Sequence, residues 1–192
     1  MKKMILLSVF ALGALTINAQ TAVIESGGFW DNWSMGIQGG TTLKTSGAAF
    51  FKSARPAFGL TIGKQWTPIL GTDIQGMGYV NTTNSSTIID ATDVSLIGRM
   101  NLMNLFGAYD GMPNAFEIET VTGLGWLHHY STGDGDTNDL SARVGLNFNF
   151  NFGNDAAWTF GIKPAMVFNL TGDFPTRKLG FNKKHSNVEI LL

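Results

Sequence analysis

The sequence of 192 residues contains no cysteine and few charged residues. Without cysteine, the chain has no disulfide framework, no thiolate metal site and no cysteine nucleophile. Charged residues make up 14% of the chain, whereas about 25% is usual for a soluble domain. This shortage of charge, together with 24 glycines, is atypical of a cytosolic protein. The length fits a single domain.

Long apolar runs are also missing, except for a short one at the N-terminus. Lys2 and Lys3 are followed by apolar residues from Met4 to about Leu15 and by the small residue Ala19, which is the pattern of a secretory signal peptide. A helix that spans the hydrocarbon core needs ~20 apolar residues, so this run is too short to be one. We therefore expect export, with residues 1–19 cleaved as a signal peptide after Ala19.

The mature chain has no excess of positive charge. Loss of Lys2 and Lys3 from the 13 basic residues leaves 11, against 14 acidic residues, so the net charge is −3. A nucleic-acid-binding surface needs a basic patch. We expect no nucleic acid among the partners.

The body of the sequence alternates apolar and polar residues. In RVGLNFNFNF, residues 143–152, an aromatic ring occupies every second position near the end, with an amide between each pair. Strict alternation is the pattern of a β-strand with two different faces. It predicts eight strands, at Trp33–Thr42, Ala57–Trp66, Ile69–Asn81, Val94–Leu102, Phe116–Trp126, Leu140–Phe152, Trp158–Leu170 and His185–Leu192.

Two all-β folds produce such alternation, a soluble antiparallel sandwich and a membrane-spanning barrel. Strands of a sandwich usually have about five or six residues, whereas a tilted spanning strand needs ~9 to 11. Most of the predicted strands have ten residues or more. We therefore expect an eight-stranded antiparallel transmembrane β-barrel with up-and-down topology, and a soluble sandwich or barrel is the alternative.

The connections between the strands predict the orientation of this barrel. Outer-membrane barrels have short periplasmic turns and longer external loops. The longer connections are mostly those at 43–54, 82–88, 131–139 and 171–184, so we expect these four outside the cell. Residues 20–32 then form a periplasmic lead-in and residues 33–192 the barrel. The turn at 107–115 is long for the periplasmic side.

Charged residues of the predicted strands share the polar face, which would point into the lumen. An eight-stranded barrel is just wide enough inside for side chains, so these residues should interlock as ion pairs and hydrogen bonds. We expect a rigid plug without a wide pore, and a gated ion path through the same side chains is the alternative. The predicted lumen network comprises Asp73, Arg99, Glu117, Glu119, Arg143, Lys163 and Glu189.

Aromatic residues collect toward the ends of the predicted strands. Rings with a polar edge favour the boundary between lipid and water, so we expect a membrane-interface girdle, and packing in a core is the alternative. Lys64 stands near this girdle, where its long stem would carry the ammonium to water. The girdle residues are Trp33, Trp66 and Trp158 on the periplasmic side and Trp126 and Tyr130 on the outer side.

Two stretches carry a resemblance to a known family. They are DNWSMGIQGG at residues 31–40 and RPAFGLTIGKQWTPILGTDIQGMGY at residues 55–79. The second contains a strand that ends in Gly-Lys-x-Trp-Thr-Pro, residues 63–68, followed by a glycine-rich strand. Together they resemble the N-terminal barrel of OmpA-like outer-membrane proteins of Gram-negative bacteria.

The resemblance implies a structural role in the cell envelope. Members of that family continue into a linker and a periplasmic domain that binds peptidoglycan and ties the outer membrane to the wall. This sequence ends at NVEILL, with no aromatic residue to end the last strand. We therefore expect an incomplete last strand and a missing wall-binding domain. Outer-membrane lipid is the expected partner, with peptidoglycan and other envelope proteins as further ones.

The sequence contains little that indicates catalysis or metal binding. DGDTND at 134–139 resembles the start of a calcium loop, but Asp139 stands where the turn glycine is needed and Gly145 where the bidentate glutamate should be. We interpret this stretch as an acidic external loop. We expect no catalytic residue, no cofactor, no metal and no enzyme activity.

One group of residues at the outer rim keeps an enzymatic alternative open. His128, His129 and Ser131 lie there with Asp134 nearby, and some barrel enzymes have catalytic residues at this rim. Adjacent residues of a strand point to opposite faces, so at most one of the histidines could join such a site.

The first hypothesis is therefore a structural outer-membrane barrel that anchors the envelope. A surface-binding module, an adhesin or receptor acting through the four external loops, is the first alternative. A barrel enzyme that uses His128 or His129 is the second.

Overall fold

The computed structural model describes residues 28–45, 54–81, 88–107, 109, 111–132, 135–153, 157–171 and 179–192, without the side chains of 131, 132 and 182–185. The predicted signal peptide, most of the lead-in and parts of all four predicted external loops lie outside the described residues. The elements are β1 (Trp33–Lys44), β2 (Arg55–Gln65), β3 (Leu70–Val80), β4 (Ile89–Asn101), α1 (Leu102–Phe106), β5 (Phe116–Thr132), β6 (Gly135–Phe152), β7 (Trp158–Thr171) and β8 (Leu179–Leu191).

The eight strands form a closed antiparallel barrel. Each strand pairs with its neighbours along the chain, and β8 pairs with β1. This confirms the predicted eight-stranded antiparallel barrel. We call the end that carries residues 66–69, 102–107 and 111–115 the turn end, and the opposite end the loop end. The chain enters β1 at the turn end.

Side chains alternate between the inside and the outside of the barrel because successive residues of a strand point to opposite faces. Charged and amide side chains lie buried inside, whereas large apolar side chains are exposed outside. Leu60, Leu96 and Leu124, for example, are 64%, 63% and 59% exposed. A soluble domain has the opposite arrangement, with its aliphatic side chains enriched in the interior.

The closure between β1 and β8 depends on a close approach of two backbones. Gly40 lies opposite Leu191, and a Cβ atom on Gly40 would overlap the carbonyl oxygen of Ile190. Glycine is favoured where another backbone comes this near. The pairing of these two strands extends from Gly40 to Lys44 of β1.

Toward the turn end, the register of β8 stops short of its neighbours. Within the described residues, Trp33–Gln38 of β1 have register partners in β2 alone, and Trp158–Ile162 of β7 have them in β6 alone. The start of β8 at Leu179 lies earlier than the predicted start near His185. The expected incompleteness of the last strand stays a prediction.

The prediction of an external loop at 131–139 is wrong. β5 continues to Thr132 and β6 begins at Gly135, so only two residues separate the strands. Gly135 has a φ of 95°, a backbone conformation that glycine adopts easily. The early start of β8 likewise shortens the predicted loop at 171–184. Most of the acidic stretch DGDTND therefore belongs to strand β6.

Helix α1 explains why the connection at the turn end is long. The side chain of Asn101 caps the helix by accepting a hydrogen bond from the backbone N–H of Asn104 at 3.0 Å. The Asn104 amide in turn donates to the carbonyl of Pro68 at 2.8 Å. The helix is thus attached to the neighbouring β2–β3 turn, a contact that alternation does not predict.

Among the described residues, no helix has both the length and the apolar character needed to cross a membrane.

Candidate functional site

The middle of the barrel contains a cluster of ion pairs around Arg99, which we call the Arg99 cluster. Arg99 of β4 donates to Asp73 of β3 at 2.8 Å through Nε and to Glu119 of β5 at 2.9 Å through Nη1. All three side chains are buried or nearly so. One guanidinium therefore joins three consecutive strands from the inside.

The amide face of β6 completes this cluster. Asn147 and Asn149 both donate to Oε2 of Glu119, at 3.2 and 3.0 Å. Asn151 donates to Glu117 at 3.1 Å. The alternation in RVGLNFNFNF thus places three amides where they satisfy two buried carboxylates, while the intervening rings point outward. A buried carboxylate needs such donors because an unpaired one is costly.

Lys163 of β7 supplies the second cation in this layer. It lines the interior cavities beside Asp73, Asn147 and, in one cavity, Arg99 and Glu119. Together with Lys163, the Arg99 cluster therefore contains two acidic and two basic side chains, so its formal charge is zero; Glu117 lies nearer the turn end and is not counted. Charge balance of this kind is needed where ions are removed from water.

A second cluster lies nearer the loop end, and we call it the Arg143 cluster. Arg143 of β6 donates to Oε2 of Glu189 in β8 at 2.6 Å. The hydroxyl of Tyr79 in β3 donates to the other oxygen of Glu189, also at 2.6 Å. Asp93 of β4 lies in the same layer and accepts hydrogen bonds from Ser141, at 2.9 Å, and from Ser95.

Small cavities lie among the side chains that fill the lumen. One of about 20 Å³ lies between the two clusters and is lined by Gln38, Gln75, Arg143 and Lys163, among others. Nε and Nη2 of Arg143 and the side-chain oxygens of both glutamines have no hydrogen-bond partner among the described residues. A polar cavity of this size accommodates about one water molecule, which would satisfy several of these atoms.

Apolar side chains fill the lumen on the loop-end side of the Arg143 cluster. Ala57, Met77, Ala91 and Leu127 are buried together there around the ring of Tyr79. At the mouth beyond them, Arg55 forms an ion pair with Asp90. The interior is thus filled by side chains in successive layers, as the width of an eight-stranded barrel dictates.

All seven residues of the predicted lumen network lie on the inner face. Of the seven, Glu117 lies nearest to the turn end, where it also accepts a 3.4 Å hydrogen bond from the backbone N–H of Asn114. Sequence reasoning missed Tyr79 and Asp93. Both could have been found, since Tyr79 shares the parity of Asp73 along β3 and Asp93 that of Arg99 along β4. Asp93 was omitted because the strand, which begins at Ile89, was predicted to begin at Val94.

The five predicted interface aromatics are all exposed on the outer side of the barrel. Three lie at the turn end: Trp33 begins β1, Trp66 follows β2 and Trp158 begins β7. The indole of Trp66 donates to Thr72 at 2.8 Å, and that of Trp126, in the loop-end half of β5, donates to Asn138 at 3.0 Å. Tyr130 lies four residues further along β5, with its hydroxyl 3.2 Å from that of Thr92.

The expectation that Lys64 extends to water is wrong. Its side chain is only 5% exposed, and its ammonium donates to the backbone carbonyls of Gly28, Phe29 and Asp31 at 3.2, 2.8 and 2.7 Å. The segment before β1 therefore folds over the lysine instead of leaving it to solvent.

The histidines of β5 lie on opposite faces of the strand. His128 is on the outer face, 2.8 Å from Asn138 and 3.7 Å from Asp136, whereas His129 lines the inner mouth and lies 3.4 Å from Asp139. The side chain of Ser131 and all of Asp134 lie outside the described residues. The described part of the chain therefore does not bring the four residues into one site.

No group of three or more metal-binding side chains occurs among the described residues. Comparisons of the chain with protein-family models, with curated proteins and with solved structures find no match.

Proposed function

We propose that this protein is a structural outer-membrane barrel that spans the bilayer and anchors the cell envelope. In this proposal the turn end faces the periplasm and the loop end faces the outside of the cell. The outer surface contacts lipid, and the buried clusters hold the barrel rigid.

The observation that carries the proposal is the inversion of polarity across the barrel wall. Apolar side chains such as Leu60, Leu96 and Leu124 are exposed around the outside, while ion pairs fill the inside. In water, so many exposed apolar side chains would be an aggregation hazard. In hydrocarbon they are well solvated, and a closed barrel satisfies its backbone hydrogen bonds internally.

The filling of the lumen supports a structural role over a transport role. The described residues line small cavities in the lumen: one of about 20 Å³ between the Arg99 and Arg143 clusters, one of about 20 Å³ within the Arg99 cluster and one of about 30 Å³ toward the loop-end mouth. These volumes accommodate single water molecules and not a hydrated solute. A plug of this kind favours a rigid anchor.

The envelope-anchoring part of the proposal rests on the resemblance of residues 31–40 and 55–79 to OmpA-like barrels. In such proteins a periplasmic domain binds peptidoglycan, and we propose the same tethering for the native protein. The two-residue connection between β5 and β6 leaves little chain there for a binding surface, so we place the surface-binding alternative second.

Fractionation of the host cell tests the proposal. The native protein, detected with an antibody against the barrel, should be found in purified outer membranes and should need detergent for extraction. Recovery in a soluble fraction would overturn the membrane assignment. Its mass tests the tether separately: a mass larger by a whole domain supports tethering, and a mass at or below 20.7 kDa, the mass of the chain with its predicted signal peptide, contradicts it.

A further inference from the structure

The segment Gly28–Asn32, which precedes β1, is attached to the turn end of the barrel through Lys64. The three N–H groups of an ammonium are its full complement of donors, and Lys64 directs hydrogen bonds to three carbonyls of this segment. The rings of Phe29, Trp33 and Trp66 surround the same ammonium, with centroids 5.8, 5.3 and 5.1 Å from Nζ. Cations are attracted to aromatic faces at such distances.

Further hydrogen bonds fix the conformation of the segment. The backbone N–H of Gly28 donates to the Asp31 carboxylate at 3.1 Å, and the backbone N–H of Asp31 donates to the carbonyl of Gly28 at 3.3 Å. The carbonyl of Asn32 accepts from the backbone N–H of Gln65 at 3.0 Å. The Trp33 indole donates to the carbonyl of Phe29 at 2.8 Å. The segment is therefore a turn with its own contacts to β1 and β2.

This turn displays aromatic surface that faces away from the barrel. Trp30 is 83% exposed and Phe29 is 62% exposed, and their rings pack edge to face with centroids 5.1 Å apart. With Trp33 and Trp66 they form one group, which we call the rim aromatics. An exposed aromatic patch of this kind marks an interaction site.

The position of the rim aromatics indicates what covers them. They adjoin Met35 and Ile62, which belong to the exposed apolar outer surface. The turn Gly28–Asn32 contains no basic side chain. Lys64 lies buried beneath the rim aromatics, so its ammonium does not contribute to their exposed surface. Trp combines an apolar body with a polar N–H and is enriched at the boundary of lipid and water. The occupant that fits is a phospholipid interface continuous with the lipid around the barrel.

We propose that Gly28–Asn32 is a membrane-interface anchor, in which Lys64 holds Phe29 and Trp30 in the headgroup region of the periplasmic leaflet. This rests on the proposed membrane-spanning function and extends it to a segment outside the barrel. Lys64 acts as a positioning residue, because its ammonium contacts the backbone of the turn and not the lipid.

The absence of cysteine from the chain permits a direct test. A single cysteine replaces Trp30 and carries an environment-sensitive fluorophore, and the full chain is reconstituted in phosphatidylcholine vesicles that contain lipid with a quencher near the headgroup. We expect strong quenching by this lipid in Trp30→Cys and its loss when Lys64→Met is added, because methionine keeps an apolar stem without the ammonium. The matched control is Leu60→Cys, with and without Lys64→Met, labelled in the middle of the outer surface of β2 and read in vesicles whose quencher lies in the acyl chains, because a label at this depth is out of reach of a headgroup quencher.

The control separates failure of the anchor from failure of the membrane-spanning barrel. Lipid quenching at position 60 without quenching at position 30 would overturn the anchor and leave the barrel intact. No lipid quenching at either position would overturn both. Equal quenching at position 30 with and without Lys64→Met would overturn the positioning role of the lysine.

A second variant replaces Lys64→Met if that variant does not fold. Asp31→Ala removes the carboxylate that accepts from Gly28 and leaves every barrel strand unchanged. If Lys64→Met prevents insertion, as the probe at position 60 would report, Asp31→Ala takes its place. We expect it to weaken the quenching at position 30 but not at position 60, and an unchanged signal at position 30 would contradict the ordered turn.

Discussion

Arg143 and Glu189 connect β6 to the closing strand β8 through a 2.6 Å hydrogen bond inside the barrel. Both are among the most buried side chains of the described chain, at 4% and 1% exposure. Glu189 also accepts from Tyr79, so one carboxylate links β3, β6 and β8. The closing strand is therefore held from inside by an ion pair to β6 and a hydrogen bond to β3, in addition to its backbone pairing with β1.

Removing one member of this pair should destabilise the barrel strongly. Glu189→Leu leaves the Arg143 guanidinium buried without its carboxylate, at a cost of about 3–5 kcal/mol for a broken buried pair. Urea unfolding of the purified protein in lipid vesicles measures this loss. The double variant Arg143→Leu with Glu189→Leu should recover much of it, because two well-packed apolar residues avoid the stranded charge. A double variant less stable than either single one would contradict this explanation.

The stability of the barrel should depend at least as strongly on the Arg99 cluster as on the Arg143–Glu189 pair. Arg99→Leu removes the ion-pair partner of both Asp73 and Glu119, which line one cavity with Lys163 as the remaining cation, and we expect a similar loss of about 3–5 kcal/mol in the free energy of unfolding. Thermal unfolding in detergent provides the readout. Arg55→Leu is a suitable comparison, because that arginine pairs with Asp90 at the mouth and its side chain is 20% exposed, against 7% for Arg99. An unchanged unfolding temperature in Arg99→Leu would contradict the inward placement of the cluster.

Charges on the outer face should be costly according to their depth. Val144 is exposed in the central part of β6 and Phe152 ends this strand. If the outer face contacts lipid, Val144→Arg should cost about 2–4 kcal/mol and Phe152→Arg about 0–1 kcal/mol. The free energy of unfolding in vesicles tests both. Equal and small costs would instead indicate an outer face in water.

A methyl group at Gly40 should disturb the closure of the barrel. The added Cβ would overlap the backbone of β8 at Ile190 and Leu191, whereas a Cβ on Gly76 of β3 has no heavy atom within 4 Å. We expect Gly40→Ala to slow or prevent folding and Gly76→Ala to fold normally. The shift in electrophoretic mobility between unheated and boiled samples measures the folded fraction. Two variants that fold equally well would contradict the close approach at the seam.

Alternation along the chain was sufficient to predict the barrel and the side of its wall on which most residues lie. Each strand has two faces of different polarity, so parity alone placed Arg99 inside and Phe150 outside. Parity is a local property that needs no knowledge of the partners of a strand. It therefore predicted the members of the lumen network without their pairing.

The pairing could not be predicted, because it depends on the register between strands. Asn149 meets Glu119 only because the two strands are aligned as they are, and nothing in either segment alone sets that alignment. The ends of some strands were predicted wrongly for a related reason. Polar residues such as Thr137 and Asn138 were interpreted as part of a loop, although they pair with His129 and His128 across a hairpin that continues the barrel wall.

Lys64 was placed wrongly for a different reason. Its parity on β2 and its neighbour Trp66 suggested an ammonium in water, and the turn that covers it lies before the first strand. A lone cation at an interface can be satisfied by water or by backbone carbonyls. Only the fold brings Gly28–Asp31 close enough to decide between the two.

The most direct test of the account is a comparison of the two faces of β6 in a bilayer. Single cysteines at residues 147 to 152 carry spin labels in the reconstituted protein, and their accessibility is measured to oxygen, which dissolves in lipid, and to a water-soluble paramagnetic reagent. A membrane-spanning barrel predicts high oxygen accessibility at Phe148, Phe150 and Phe152 and low accessibility to both agents at Asn147, Asn149 and Asn151. High accessibility of the three phenylalanine positions to the water-soluble reagent would contradict it and place the outer face in water.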